Sequence, residues 1–498
     1  MNLINRCLGA VERWGNKLPD PVSLFLMLIG FTMVLSAIIS LAGWGVIHPS
    51  SGARIEAVNL LSGSTIRRIL TEMSTIFAGF PPLGLVLTVM LGIGVAEKSG
   101  LVACALRRLL ANVPNSLLSA AVVFAGIMSS LAADAGYVVL IPLGALLFAN
   151  AGRHPLAGLA ATFAGVSAGF SSNLVLTSID PLLAGFTQSA AQLLDSSYEV
   201  NAAANYYLMI ALVPLLTVGG ALLTDRFVEP RLPLYGDSEA IVEHTIDAVE
   251  RRGLRLAGLT VAILIAVIAF MVIPEGGILR DDDGSVSTFY RSLIALMFFL
   301  FLIPGLVFGI STGKIRSDKD AVAMTGESMS DMGMYIVLAF VAAHFIALFS
   351  WSNLGIMLAI SGANLMELLG FTGIPLILVF ILIVASINLF VGSASAKWAV
   401  LGPVFVPMLM ILGYSPEMAQ AAYRIGDSAT NILTPLLPYF PLILVFCRRY
   451  QQNYGIGNLV ALMLPYSVVF GLLMSLVLIV WMTLGLPLGP GSQISFTL

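Results

Sequence analysis

The sequence predicts an all-α polytopic membrane protein, on three observations. Of its 498 residues, 58% are apolar and only 10% are charged, whereas soluble domains carry roughly 25% charged residues. Apolar stretches of spanning length, about 20 residues, recur almost to the end of the chain. Several of them are broken by proline and glycine beside polar side chains, the pattern of interrupted helices around a solute site. A net charge of −3 without a basic tract leaves no footprint for nucleic acid. Cys7, Cys104 and Cys447 lie far apart and form neither a metal-ligand spacing nor a disulfide framework.

Residues 1–20 do not have the profile of a cleaved signal, because Glu12, Arg13, Lys17 and Asp20 precede the first long apolar run. A first span is expected at about 21–45, an external loop with a short amphipathic helix over 46–80, and a second span at about 81–99. Residues 116–150 are long for one span and are interrupted by SSLAADAG, which predicts a re-entrant hairpin with Asp134 near its tip. Residues 156–190 break at GFSSNLVLTSIDP and predict a discontinuous spanning helix. Uninterrupted spans follow at about 203–224, 255–273, 289–310 and 332–350, separated by a charged loop, an acidic loop and a basic loop (313–319). Residues 353–371 look half-buried. A second hairpin (about 376–411), a second broken helix (about 416–447) and a last span (457–484) complete a single membrane transport domain over 1–498. The expectation is nine transmembrane helices plus two re-entrant hairpins. With a cytoplasmic N-terminus, 17 lysines and arginines fall on cytoplasmic segments and five outside, as the positive-inside rule requires. Reading either hairpin as a full crossing would place Arg448 and Arg449 outside.

A shift of 261 residues aligns 133–168 with 394–429 without a gap, and 12 of 36 positions match. Composition alone does not place Pro142/Pro403, Gly152/Gly413, Pro155/Pro416 and Gly165/Gly426 in register. The halves, about 116–190 and 376–447, enter from opposite faces in this topology and form an inverted repeat, the plan of secondary transporters with a midplane site.

Broken helices expose backbone groups that favour anions at N-termini and cations at C-termini. Ser171, Ser172 and Asn173 at the first break, Ser428, Thr430 and Asn431 at the second, and Asp134 and Ser393 at the tips are oxygen ligands suited to sodium; helix capping accounts for the Ser and Asn among them equally well. An intramembrane charge costs roughly 2.5–3.5 kcal/mol on insertion scales, so such residues normally face a protein interior and act there. Arg424 presents a fork for a carboxylate. Asp427, three residues on, is either its i,i+3 partner or a group that releases the solute or carries a proton. Asp180 has no basic neighbour in sequence, which makes it the leading proton-relay candidate, with helix capping as the alternative. Trp398, one turn after Ser395, either stacks on an aromatic solute or packs. Lys397 is expected to snorkel, and His344 to be a satisfied helix-face residue.

On ERWGNKLPDP, FPPLGLVLTVMLGIGVAEKSGL, GFSSNLVLTSIDP, SASAKWAVLGPVFVPM and SPEMAQAAYRIGDSATNILTP, the chain resembles the AbgT family, transporters linked to p-aminobenzoyl-glutamate, along nearly its whole length. The resemblance implies a homodimer of nine-span protomers. More distantly the layout is similar to that of divalent-anion/sodium symporters, in which each tip and paired break holds a sodium. By motif, Asp180, Asn388, Ser395, Trp398, Pro416, Arg424 and Asp427 match positions that line an internal cavity. The family includes members linked to uptake of p-aminobenzoyl-glutamate and members linked to export of sulfonamide antimetabolites. Such aromatic, anionic small molecules offer carboxylates to Arg424, a ring to Trp398 and an aniline nitrogen to Asp180 or Asn388.

The expected function is therefore secondary transport across a bacterial inner membrane, with export driven by proton motive force and sodium-coupled uptake as the alternative. A membrane hydrolase would need a nucleophile with a base or a metal site, and neither H-E-x-x-H nor G-x-S-x-G occurs. A channel would need a continuous polar pore. No G-x-x-x-x-G-K-[ST] motif supplies ATP binding. No cofactor is expected beyond sodium.

Overall fold

The computed structural model describes residues 20–47, 52–110, 113–131, 136–233 and 247–497. Asp20 caps and Pro21 opens α1 (Pro21–Ala42), and Gly43, at φ +63°, closes it in the left-handed conformation that favours glycine. Residues 46–80 hold the amphipathic α2 (Gly63–Ala78). They also help form a small antiparallel ribbon, β1 (Gly45–Ile47) with β2 (Arg54–Glu56), which the sequence did not signal. Then come α3 (Pro81–Lys98) and α4 (Leu101–Leu110).

The first hairpin has limbs α5 (Leu118–Met128) and α6 (Ile141–Asn150), the second led by a π-turn at Gly136–Leu140. Its tip, 132–135, with Asp134, lies outside the described residues. The first broken helix is α7 (Pro155–Phe163), extended by a π-turn at Ala164–Ala168, then irregular chain over 169–178, then α8 (Ile179–Ala191). There follow α9 (Tyr206–Leu223), α10 (Ala248–Val272), the short α11 (Ser287–Arg291) and α12 (Leu293–Ser311). Next come α13 (Asp318–Asp331), α14 (Gly333–Trp351) and α15 (Leu354–Leu368). The second hairpin is α16 (Gly373–Asn388) with α17 (Ala394–Ile411), and the second broken helix is α18 (Pro416–Thr430) with α19 (Phe440–Tyr450). The last helix is α20 (Ile456–Leu484).

Among the described residues eight helices are long and apolar enough to cross a membrane. Six coincide with uninterrupted spans expected from the sequence; Gly63–Lys98 joins α2 to the span expected at 81–99, and Ala394–Ile411 is a hairpin limb. The first broken helix is broken where expected; the second stays helical through Thr430, so its break, 431–439, begins at the far end of the expected 427–431 and leaves Ser428 and Thr430 in the last turn of α18. Two further expectations need correction. The basic loop at 313–319 leads into α13, which starts with a Ser317/Asp320 capping box; its polar sequence hid a helix that packs on α3. The chain also does not end at its last span. Residues 486–497 fold back, with Ser415 N donating to Ile494 O at 2.9 Å and Phe496 N to Gly413 O at 2.9 Å, so the tail braces the turn before α18.

The two halves share their construction. Gly152 (φ +70°) and Gly413 (φ +88°) both take the left-handed conformation that ends a hairpin. Pro155 and Pro416 both open the helix that follows, where a missing N–H costs nothing. Gly165 and Gly426 both lie against backbone: an added Cβ would fall 2.3 Å from Val123 O in one half and 2.5 Å from Ile381 O in the other. Each broken helix thus packs closely on the first limb of its own hairpin, and α8 from the first half lies against α17 and α18 of the second.

Candidate functional site

The most polar helix of the core is also almost wholly enclosed. Every residue of α18 from Pro416 to Ala429 is buried. Ser415 caps it, accepting from Met418 N at 3.1 Å, and Pro416 occupies its first turn. Buried polar side chains must find partners, and those of α18 find them in both halves of the molecule.

Arg424 Nη2 donates to Asp180 Oδ1 at 2.6 Å, with the two side chains 4% and 0% exposed. Asp180 lies in the first turn of α8, and its Oδ2 accepts from Thr177 N at 2.6 Å and Thr177 Oγ1 at 3.0 Å. Asp180 therefore has a basic partner, 244 residues away in sequence, and Arg424 pairs with it instead of with Asp427. The structure thus supplies the partner that Asp180 lacks nearby in sequence, and of the two alternatives open for Asp427 it excludes the pair with Arg424 in this arrangement. Residues three apart on a helix are neighbours, but here Arg424 turns towards α8 while Asp427 turns towards the second hairpin.

Asp427 is paired with Lys397, whose ammonium also donates to Asn388 Oδ1. Lys397 is 2% exposed and does not snorkel, because its partners lie within the core. Asn388 Nδ2 reaches Asp427 O at 2.6 Å, Thr430 Oγ1 at 2.9 Å and Asn431 Oδ1 at 2.9 Å. Ser393 caps α17 through Ala396 N at 3.3 Å and lies 3.3 Å from Ser395 Oγ.

Trp398 is fully buried and its face is taken. It stacks on Tyr423 with ring centroids 4.4 Å apart, and its Nε1 donates to Thr187 Oγ1 at 2.8 Å. Thr187 in turn lies 2.7 Å from Gln420 Oε1. In this arrangement no solute reaches the Trp398 face. The sequence reading did not single out Thr187, Gln420, Tyr423 or Glu417. Glu417 is buried and accepts from Tyr198 Oη at 2.9 Å; a glutamate in a buried, alanine-rich helix was the available signal.

At the first break, Asn173 Nδ2 donates to Ser130 Oγ at 2.8 Å and to Ile127 O at 3.3 Å, tying break to hairpin. Ser171 is buried beside it. Ser172 Oγ and Ser428 Oγ, one at each break, are buried without a hydrogen-bond partner among the described residues. Among the described residues no three His, Cys, Asp or Glu side chains converge on a metal site. His344 is half satisfied, with Nδ1 2.7 Å from Phe340 O and Nε2 buried without a partner among the described residues.

Helix ends and breaks thus hold one buried cluster of charged and polar side chains drawn from both halves. Comparison with known proteins identifies the family. The model of the AbgT transporter family matches residues 6–496. The p-aminobenzoyl-glutamate transport protein of Escherichia coli (strain K12) is 39% identical over 487 residues, covering 97% of this chain and 96% of its own length. The crystal structure of the YdaH transporter of Alcanivorax borkumensis, described as having an unusual topology, superposes with a TM-score of 0.91 at 44% identity, over 95% of this chain and 100% of that one. MtrF of Neisseria gonorrhoeae, described as illuminating a class of antimetabolite efflux pumps, gives a TM-score of 0.92 at 44% identity, over 97% and 99%. A buried polar centre shared by two hairpin-and-broken-helix units, and similarity along the whole chain, make this protein a multi-pass membrane transporter, not an enzyme, and a member of the AbgT family.

Proposed function

We propose that the protein exports p-aminobenzoyl-glutamate-like folate catabolites and sulfonamide antimetabolites from the cytoplasm across the bacterial inner membrane, driven by proton motive force, as a homodimer. The observation that carries this reading is the buried Arg424–Asp180 pair, which links the halves within one turn of Gln420 and its partner Thr187, the acceptor of Trp398. Its relatives supply the cargo classes: the Escherichia coli protein is named for p-aminobenzoyl-glutamate and MtrF for antimetabolite efflux.

The pair has two ends, and each links proton and cargo with a different sign. An aniline N–H donated to the Asp180 carboxylate excludes a proton from it, so proton and cargo alternate; that is exchange, and it suits export. A cargo carboxylate competes with Asp180 for the Arg424 fork. A proton on Asp180 cancels its charge and frees Arg424, so proton and carboxylate favour one another. A sulfonamide has the aniline and the ring without the glutamate carboxylates, and uses only the exchange arm. Asp427, with its own cation, is the second candidate for a proton carrier.

Flux in proteoliposomes under an imposed pH gradient, with a sodium gradient imposed separately, tests the coupling. Sulfonamide efflux against an inward proton gradient is the expected result; indifference to the pH gradient overturns it. Sodium-coupled uptake is the second reading, favoured by the unpartnered Ser172 and Ser428 hydroxyls at the two breaks, and it requires flux to follow the sodium gradient.

A further inference from the structure

The geometry points to Lys397 as a tethered cation: its ammonium fills the place at the second hairpin and break where a free sodium would otherwise sit, so this half of the transporter takes no ion from solution. The inference rests on the reading of tips and breaks as cation-holding places, and it concerns ion binding instead of drive.

Oxygens converge on the start of α17 and the end of α18. Asn388 Oδ1 and the Asp427 carboxylate meet Lys397 Nζ directly. Behind them Asp427 O, Thr430 Oγ1 and Asn431 Oδ1 gather on Asn388 Nδ2, at 2.6, 2.9 and 2.9 Å. These are side-chain and backbone oxygens of the kind a hard monovalent cation takes. A carboxylate 1% exposed requires a counter-charge. Among the described residues the other buried cation nearby on α18, Arg424, is held by Asp180. Lys397 supplies the charge, and its amine is delivered from one turn inside α17 to the break of α18.

The first half is built differently at the corresponding position. The repeat register sets Lys397 opposite Gly136. A Cβ on Gly136 would fall 2.2 Å from Ser129 Oγ and 3.0 Å from Val166 Cγ1, so there is no room for a side chain, still less an ammonium. An unpartnered serine hydroxyl is common to both breaks, Ser172 in the first half and Ser428 in the second; the halves differ at Gly136 and Lys397. The repeat is thus asymmetric at this place: a covalently held cation at Lys397 in the second half, and a glycine, Gly136, at the matching position of the first.

The test measures radiolabelled sodium binding and thermal stability of the full-length protein purified in detergent, in sodium against choline at matched ionic strength. Lys397→Ala should bind one more sodium per chain than the parent and gain a saturable, sodium-dependent rise in melting temperature. Lys397→Ala/Asp427→Asn, with both charges gone, should lose that gain. Asp427→Asn alone should leave the sodium binding of the parent unchanged, because in the parent Asp427 holds the lysine. Equal sodium responses in the parent and Lys397→Ala overturn the inference, as does loss of the parent's sodium binding in Asp427→Asn. Failure of Lys397→Ala to fold in sodium also overturns it, since a free cation would then be unable to replace the ammonium; recovery of that variant only in sodium supports it. Proton-driven flux can fail in proteoliposomes without altering any of these results, so the two readings fail separately.

Discussion

Asp180 and Arg424 show what the sequence discloses at single positions. Both stood out as charges in apolar surroundings, where insertion costs make an idle charge rare. Their partnership was invisible, because a contact between residues 244 apart leaves no trace in local spacing, and the nearer candidate, Asp427, faces elsewhere. Trp398 stayed open between stacking and packing for the same reason: its acceptor Thr187 lies 211 residues away, and nothing in SAKW says which surface the indole meets. The pairing leads to a stability prediction. Asp180→Asn removes the carboxylate and leaves a buried guanidinium without its counter-charge, a change that costs about 3–5 kcal/mol in other proteins. Arg424→Gln should cost a similar amount. The double variant should be destabilised by less than the sum of the two, since no buried charge is left uncompensated, and should still fail to transport. Melting temperatures of the four proteins close the cycle; strict additivity would show that the two groups do not interact.

Among the elements, helices and breaks were legible because apolar length and proline position are local properties. The π-turn at Ala164–Ala168, the helix α13 and the docked tail were not, since each depends on packing that composition does not encode. The repeat was the most informative signal, and three of its four register-fixing pairs acquire separate reasons in the structure. Gly152 and Gly413 adopt positive φ, the two prolines open helices, and Gly165 and Gly426 admit a neighbouring backbone. The last pair is testable. Gly165→Ala and Gly426→Ala place a methyl 2.3 and 2.5 Å from backbone oxygens, which cannot move without shifting a hairpin limb. Overpacking of this kind typically costs about 1–3 kcal/mol. Gly258→Ala, on α10 with nothing within 4 Å of the added methyl, should be neutral or slightly stabilising through helix propensity alone. Thermal unfolding of the three variants decides; if all three behave alike, the close approach does not matter to stability.

Across the whole molecule, the closed arrangement is held by contacts between halves: Arg424 to Asp180, Trp398 to Thr187, and α8 along α17. Alternating access requires these to part, since Trp398 is sealed at 0% exposure and Asp180 likewise. A reversible covalent bond across the same seam should therefore stop the cycle. Ala190 on α8 and Gly402 on α17 are placed for it: a Cβ built on Gly402 lies 3.7 Å from Ala190 Cβ, with no closer atom, inside the roughly 3.5–4.5 Å range of disulfides. Ala190→Cys/Gly402→Cys should cross-link under a membrane-permeant oxidant, and Cys104 and Cys447, both buried and free, remain as an internal control in the parent. Each single variant should transport. The double variant should lose flux on oxidation and regain it on reduction, with binding of cargo from either side abolished while the bond is intact. If the oxidised protein transports at the parent's rate, then α8 and α17 travel together as one body. The opening would then have to be sought between α18 and the elements around it.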